Sequence, residues 1–294
     1  MLRHRLITGP LLVLGVLLLF WLDERFTGTG ASASGEGHLP RGAIIIAVGL
    51  CIAPLMARET STMLVHVGVD ARAWLGMLAA TLAYAVTTAV SQLGSGTISS
   101  GLAASCLVLV LITGLLTFSR GHKVHGVMAA TGGLLLVTVY AGVLLAFWPL
   151  IRLEHSAWVL LGAILTTKSC DTGAYFTGMA IGRHKLIEWL SPKKTWEGLL
   201  GGVATATVVG TALAALSPQL PNPQDHIPIW LGAVGGCLIG VVGQAGDLAE
   251  SLFKRDAGMK DSGRILPGMG GVLDVLDSPL LTGPVVFWLL RAAG

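Results

Sequence analysis

Residues 228–255 read PIWLGAVGGCLIGVVGQAGDLAESLFKR, and the chain continues DAGMKDSGRILPGMGGVLDVLDS to residue 278. The first part is an uncharged apolar run that approaches the roughly 20 residues a helix needs to cross a bilayer. Charge then crowds in: Asp247, Glu250, Lys254, Arg255, Asp256, Lys260, Asp261, Arg264, Asp274 and Asp277. Charge is costly beside lipid, so a cluster at the end of a spanning helix reads first as a functional site. At about 100° per residue, Asp247, Glu250, Ser251 and Lys254 share one helical face. Acids, a hydroxyl and a cation on one face suit a divalent metal and a phosphate. Pro267-Gly268-Met269-Gly270-Gly271 is a turn whose backbone N–H groups could meet an anion. Asp274 and Asp277 follow at i, i+3, on one side of a helical turn. The plainer alternative is a solvated loop beside a charged helix end.

The rest of the chain has the same apolar character. Hydrophobic residues make up 53% of its 294 residues and charged residues 12%. Soluble domains carry about 25% charged residues, so the composition predicts an integral membrane protein. The expected fold is an all-α, polytopic helix bundle forming one membrane domain over residues 1–294, with no room for a separate soluble domain. Nine hydrophobic segments stand out, at about 6–22, 42–57, 73–92, 98–118, 126–148, 156–181, 198–217, 228–248 and 279–293. The first follows Arg3 and Arg5 in the manner of a signal peptide. It lacks a convincing cleavage site and reads as a retained helix. Residues 27–42, rich in Gly, Ser and Thr, read as a flexible outer loop.

The basic residues sort by loop. Arg3, Arg5, Arg58, Arg72, Arg120, Lys123, Arg183, Lys185, Lys193, Lys194, Lys254, Arg255, Lys260 and Arg264 fall on alternate loops counted from the N-terminus. The opposite side holds Arg25, Arg41, Arg152 and Arg291. The positive-inside rule then puts the charged stretch in the cytoplasm. A net charge of +3 gives no reason to expect a nucleic-acid partner. The four cysteines stand singly in apolar surroundings, without zinc or disulfide spacing. Gly232, Gly236 and Gly240, like Gly198 and Gly202, recur every four residues and predict close helix packing.

A second polar group lies inside the sixth apolar segment. Lys168 and Asp171 stand at i, i+3, and each alone in lipid would cost on the order of 3 kcal/mol. They form either a structural ion pair or part of a polar cavity. The following loop carries Arg183, His184 and Lys185, then Ser191-Pro192-Lys193-Lys194-Thr195-Trp196-Glu197-Gly198. Ser191 before Pro192 predicts a helix start. Lysines at such a start suit a triphosphate or, equally, anionic lipid headgroups.

Three blocks carry a family resemblance. Residues 251–277, with Ser251, Lys254, Arg255, Lys260, Asp261, Gly263, Pro267, Gly270, Gly271, Asp274 and Asp277, resemble the signature of the CDP-diacylglycerol synthases, the phosphatidate cytidylyltransferases. Cys170-Asp171-Thr172-Gly173-Ala174-Tyr175-Phe176-x-Gly178 resembles a second block, and the Ser191–Gly198 run a third. Met269 stands where the family usually has His, and Val275 where it usually has Arg. The blocks cover about a quarter of the chain, within a C-terminal half (156–294) that would carry catalysis on an N-terminal scaffold (1–150).

The resemblance implies condensation of CTP with phosphatidate to CDP-diacylglycerol and pyrophosphate, with Mg2+ required and a homodimer in the bacterial inner membrane. It implies a catalytic set of Asp247, Lys254, Arg255, Lys260, Asp261, Asp274 and Asp277. Asp247, Asp274 and Asp277 are the metal candidates. Asp171, Ser191, Lys193, Lys194, Thr195, Glu197 and Ser251 are the substrate-binding candidates. Mutual repulsion of two phosphates is the main barrier to such chemistry, which is why it needs metal and cations. The alternatives are another CTP-dependent membrane lipid kinase, which would release CDP, and a non-enzymatic transporter.

Overall fold

The computed structural model describes residues 2–27, 39–92, 97–120 and 124–293. Most of the expected outer loop, at 28–38, lies outside them. The apolar segments form helices α1 (Leu2–Thr27), α2 (Ala43–His66), α3 (Ala73–Gln92), α4 (Thr97–Phe118), α5 (Val127–Val137) and α6 (Leu144–Glu154). Then come α7 (Ala157–Ile181), a hairpin of β1 (Lys185–Ile187) and β2 (Ser191–Thr195), α8 (Trp196–Leu216), α9 (Ile229–Asp256) and α10 (Leu273–Ala293). A π-helical stretch, Thr138–Val143, joins α5 to α6 into one rod. The nine segments of the sequence fall on these rods. Seven of them, among the described residues, are long and apolar enough to cross a membrane: α2, α3, α4, the α5–α6 rod, α8, α9 and α10.

The fold is an all-α membrane bundle that divides into two compact units. The first comprises Met1–Pro10, Ile44–Leu150 and Phe253–Val275; the second Leu11–Ala43, Ile151–Leu252 and Leu276–Gly294. Residues 151–252 group with the second unit. Residues 253–275, however, group with the first unit, although they belong to the charged C-terminal stretch.

In the first unit, Leu75, Ala79, Val110, Phe118, Ala130 and Leu134 form an apolar core among α3, α4 and α5. The π-helical stretch brings Gly142 against the backbone of Ala80, where a Cβ would collide. A π-bulge inserts one residue into a helix and shifts the face that follows it.

In the second unit, small residues set the spacing of α7, α8 and α9. A Cβ at Gly173 or Gly201 would run into Thr205 or Thr177 across the α7–α8 contact. Gly232 and Gly236 meet the α8 backbone near Gly210 and Ala206. Without a hydrophobic drive between helices in lipid, such close van der Waals approach supplies the association. Arg152 is fully buried; its Nε donates to Asp23 Oδ2 at 2.6 Å and its Nη2 lies 3.1 Å from Glu24 Oε2. A buried charge held this way is tolerated only because it is paired. The Ser156 N–H donates to Asp225 Oδ1 at 3.0 Å and His155 Nδ1 lies 3.3 Å away. Burial pushes the Asp225 carboxyl up, but these bonds win and hold it at about 2.

The expected helix start at Ser191 is instead extended chain. Ser191 pairs with Ile187 and Thr195 with Lys185 in the antiparallel hairpin. Thr195 caps α8: its Oγ1 accepts from the Gly198 N–H at 3.1 Å. The Ser-Pro pair resembles a cap and first turn, but the Trp196 N–H is bonded to the His184 carbonyl across the hairpin, which holds the preceding residues extended. Thr195→Ala should cost about 1 kcal/mol, the ordinary value of such a cap. Reversible denaturation in detergent would measure it; no loss would show that the hairpin alone fixes the start of α8.

Candidate active site

The second unit gathers charges from four elements around α7. Lys168 Nζ lies 3.4 Å from Asp171 Oδ2, one helical turn away, and 3.5 Å from Asp277 Oδ1 on α10. Gln244 of α9 donates through Nε2 to Asp171 Oδ1 at 3.2 Å. Lys194 of β2 reaches Asp247 Oδ2 of α9 at 2.7 Å. Asp247 and Asp277 are both charged neighbours of Asp171. Ser251 Oγ points back to Asp247 Oδ1 at 3.5 Å. Gly246 makes the approach possible, because a Cβ there would strike the Asp277 carbonyl.

This cluster alternates acid and cation. Three carboxylates, Asp171, Asp247 and Asp277, face two ammonium groups, Lys168 and Lys194, leaving one formal negative charge in excess. Lys168 and Asp171 are each about one-third exposed on their side chains. They form an ion pair that is also part of the larger polar group. Lys193, next to Lys194 on β2, is exposed.

The first unit holds a second group. Lys254 Nζ donates to Asp274 Oδ1 at 2.7 Å. Asp274 Oδ2 accepts from the Ser262 N–H and Oγ, both at 2.8 Å, and from the Gly271 N–H at 2.7 Å. Glu59 of α2, buried, accepts from Ser262 Oγ at 3.0 Å, the Val272 N–H at 3.0 Å and the Leu273 N–H at 2.9 Å. Two carboxylates thus tie down the loop that enters α10. A carboxylate at a helix N-terminus also satisfies the positive end of its dipole.

These bonds change the reading of the glycine-rich turn. Its backbone N–H groups were expected to meet an external anion. Met269 and Gly270 instead donate to the Leu266 carbonyl, and Gly271, Val272 and Leu273 donate to Asp274 and Glu59. The anions they meet are the protein's own carboxylates. Gly268 and Gly270 adopt φ of 81° and 101°, conformations that favour glycine. Met269, where the family usually has His, sits within this turn.

The predicted residues fall in both units. Asp171, Asp247, Asp277, Lys194 and Ser251 come together in the second unit. Lys254 and Asp274 pair in the first. Arg255, Lys260 and Asp261 are exposed there, with Arg255 Nη1 donating to the Met259 carbonyl at 3.4 Å. Glu197 accepts from the Arg183 and His184 N–H groups and lies 2.6 Å from His184 Nδ1, so its carboxylate closes the turn after α7. Thr195 serves as the cap of α8, and Ser191 lies in β2. Sequence reasoning missed Glu59, Gln244 and Ser262. Glu59 carried a signal, a carboxylate directly after an apolar run; Gln244 and Ser262 carried none.

Fold and site together define a polytopic helical membrane protein with an interleaved acid–lysine cluster. The model of the cytidylyltransferase family matches residues 37–293, and the chain belongs to this family. It is similar to the phosphatidate cytidylyltransferase of Bacillus subtilis (strain 168), at 34% identity over 194 residues, 65% of this chain and 70% of that protein. The corresponding Pseudomonas aeruginosa protein is 38% identical over 164 residues, 55% of this chain and 57% of that one. An Escherichia coli (strain K12) protein named uncharacterized protein YnbB is 39% identical over 163 residues, 49% of this chain and 52% of that one. The matches thus span between about half and 70% of these relatives' lengths.

Proposed function

We propose that this chain is a phosphatidate cytidylyltransferase, joining CTP to phosphatidate with release of pyrophosphate. The observation that carries the reading is the interleaving of Asp171, Asp247 and Asp277 with Lys168 and Lys194 in a member of the cytidylyltransferase family. A phosphatidate oxygen attacks the α-phosphorus of CTP, and the bond from that phosphorus to the β-phosphate bridging oxygen breaks. Both partners are anions, so the protein must first neutralise charge. In this scheme Lys168 and Lys194 leave their carboxylate partners for phosphate oxygens, and Lys193 meets the outer phosphates. Ammonium groups contribute point charges without proton transfer, which suits a reaction in which no proton need be moved.

Mg2+ fits the donor chemistry. Carboxylate oxygens are hard ligands, and Mg2+ is commonly held by one or two of them with substrate phosphates and water. Among the described residues no group of three Asp, Glu, His or Cys side chains could hold a metal alone. The phosphates would therefore complete the shell. Asp247 and Asp277, beside Asp171, are the assigned ligands; Asp274 pairs with Lys254 in the first unit. When bound, Mg2+ supplies the charge that lets the two phosphates approach. The distribution of basic loops supports a cytoplasmic site in a bacterial inner membrane. A homodimer is part of the same proposal, with its mass in detergent as the check.

The test is turnover by purified protein with CTP, phosphatidate and Mg2+. Pyrophosphate and a CDP-lipid are the expected products, both dependent on Mg2+. Release of CDP with a phosphorylated lipid would assign a kinase instead. Substrate movement across vesicles without CTP consumption would assign a transporter.

A further inference from the structure

The second unit contains a cavity of about 310 Å³ that the proposed chemistry does not use. Its walls come from α7, α8, α9 and α10, and they include Trp158, Thr166, Leu213, Gly235, Ile239 and Leu289. The lining is almost entirely apolar. Its size falls at the lower end of the range typical of small-molecule sites, roughly 300–1,000 Å³.

The order of residues along each helix points to its occupant. On α7 the cavity wall ends at Thr166, and Lys168 and Asp171 follow. On α9 the wall ends at Ile239, and Gln244 and Asp247 follow. On α10, running the other way, Asp277 precedes Val286 and Leu289. Three helices therefore pass in the same direction from an apolar cavity to the charged cluster. The wall from Trp158 to Thr166 is about 12 Å long at 1.5 Å per residue. A charged cluster next to an apolar space along the same helices is the complement of a lipid head and its tail. Thr167 and Thr282 are buried against each other between the two regions. Leu165, a cavity residue, is 48% exposed and gives a tail a way in that bypasses this pair.

We propose that this cavity binds the distal part of one acyl chain of the phosphatidate whose phosphate lies at the Lys168–Asp171–Asp277 cluster. It thereby sets the acyl-length preference. The identity of the lipid rests on the function proposed above; the binding of a tail does not. Gly162 and Gly235 offer clean probes. A Cβ at either meets one leucine methyl at 3.6 Å, an ordinary contact, so larger side chains there fill space without displacing backbone.

Gly235→Leu and Gly162→Leu are expected to raise KM for dipalmitoyl phosphatidate about tenfold. KM for the dioctanoyl lipid should stay within twofold and kcat should not change, because the shorter tails end before the cavity. An unchanged ratio of long-chain to short-chain KM in both variants would overturn the proposal. A readout without turnover uses Trp158, which lines the cavity. In nanodiscs, phosphatidate brominated near the tail end should quench the fluorescence lost in Trp158→Phe at a few mole per cent. The same bromine on phosphatidylcholine should need far more. Equal quenching by both means bulk lipid only, and quenching by neither, with cross-linking of Gly162→Cys between protomers, means a second copy covers the cavity. Either result overturns the assignment. Wild-type protein that turns over no phosphatidate of any length, yet shows selective quenching, refutes the enzymatic reading and leaves the lipid site standing.

Discussion

Asp277→Asn should reduce Mg2+-dependent turnover of CTP by about a thousandfold, the scale seen when one preorganised charge-stabilising group is lost. That corresponds to about 4 kcal/mol of barrier. Asp277 is 8% exposed and lies 3.5 Å from Lys168 through Oδ1, which also accepts from the Ser278 N–H at 2.6 Å. Asn can keep the Ser278 bond through its amide oxygen, so the substitution removes charge with little change of shape. The cluster would then hold two carboxylates against two lysines and lose its excess negative charge, the feature that favours a divalent cation. Mg2+ titration of pyrophosphate release measures the effect, with a thermal melt as the control for folding. Turnover within tenfold of wild type at saturating Mg2+ would remove Asp277 from the reacting centre. Asp274→Asn makes the contrast. It strips charge from the pair with Lys254 and weakens the bonds to Ser262 and Gly271, so its first effect should be a lower melting temperature.

Much of the cluster could be read before any coordinates. Lys168 and Asp171 declare themselves because a charge inside an apolar run must have a partner, and i, i+3 spacing supplies one. The pairing of Lys194 with Asp247 could not be read. The two are 53 positions apart, and they meet only because the glycine faces of α8 and α9 let the helices pack closely. The glycine repeats predict that close approach but not which charges it aligns. The start of α8 was misplaced by four residues because Ser-Pro and Thr-Trp-Glu-Gly both carry cap chemistry. Hydrogen bonding between β1 and β2, a non-local term, selects the second. The turn at 267–271 looks open to an anion in sequence, but Asp274 takes the Gly271 N–H, and Glu59, more than two hundred residues away, takes those of Val272 and Leu273 just after it. The apolar segment at about 42–57 stops at Arg58 and Glu59. The helix in fact continues to His66.

Glu59 is accordingly the residue whose loss should cost most in stability. Its Oε1 accepts from the Val272 N–H, and its Oε2 from the Leu273 N–H and Ser262 Oγ. Leucine at this position would leave the Val272 and Leu273 N–H groups without their acceptor, while Ser262 Oγ keeps Asp274 Oδ2. An orphaned buried donor costs about 1–3 kcal/mol, so Glu59→Leu should lose about 3 kcal/mol or more in detergent unfolding. Glu59→Gln keeps one carbonyl oxygen and should fall between the two. Hydrogen exchange gives the local test: the amides of Val272 and Leu273 should exchange faster in Glu59→Leu, ahead of those in the α3–α5 core. Melting and exchange unchanged in both variants would mean that the loop entering α10 holds its shape without Glu59. The opposite result ties a carboxylate outside the family signature to the placement of Asp274 within it. Val272 and Leu273 open α10, and Asp274 follows immediately on the same first turn, so an acceptor that fixes those two amides also fixes where that aspartate begins.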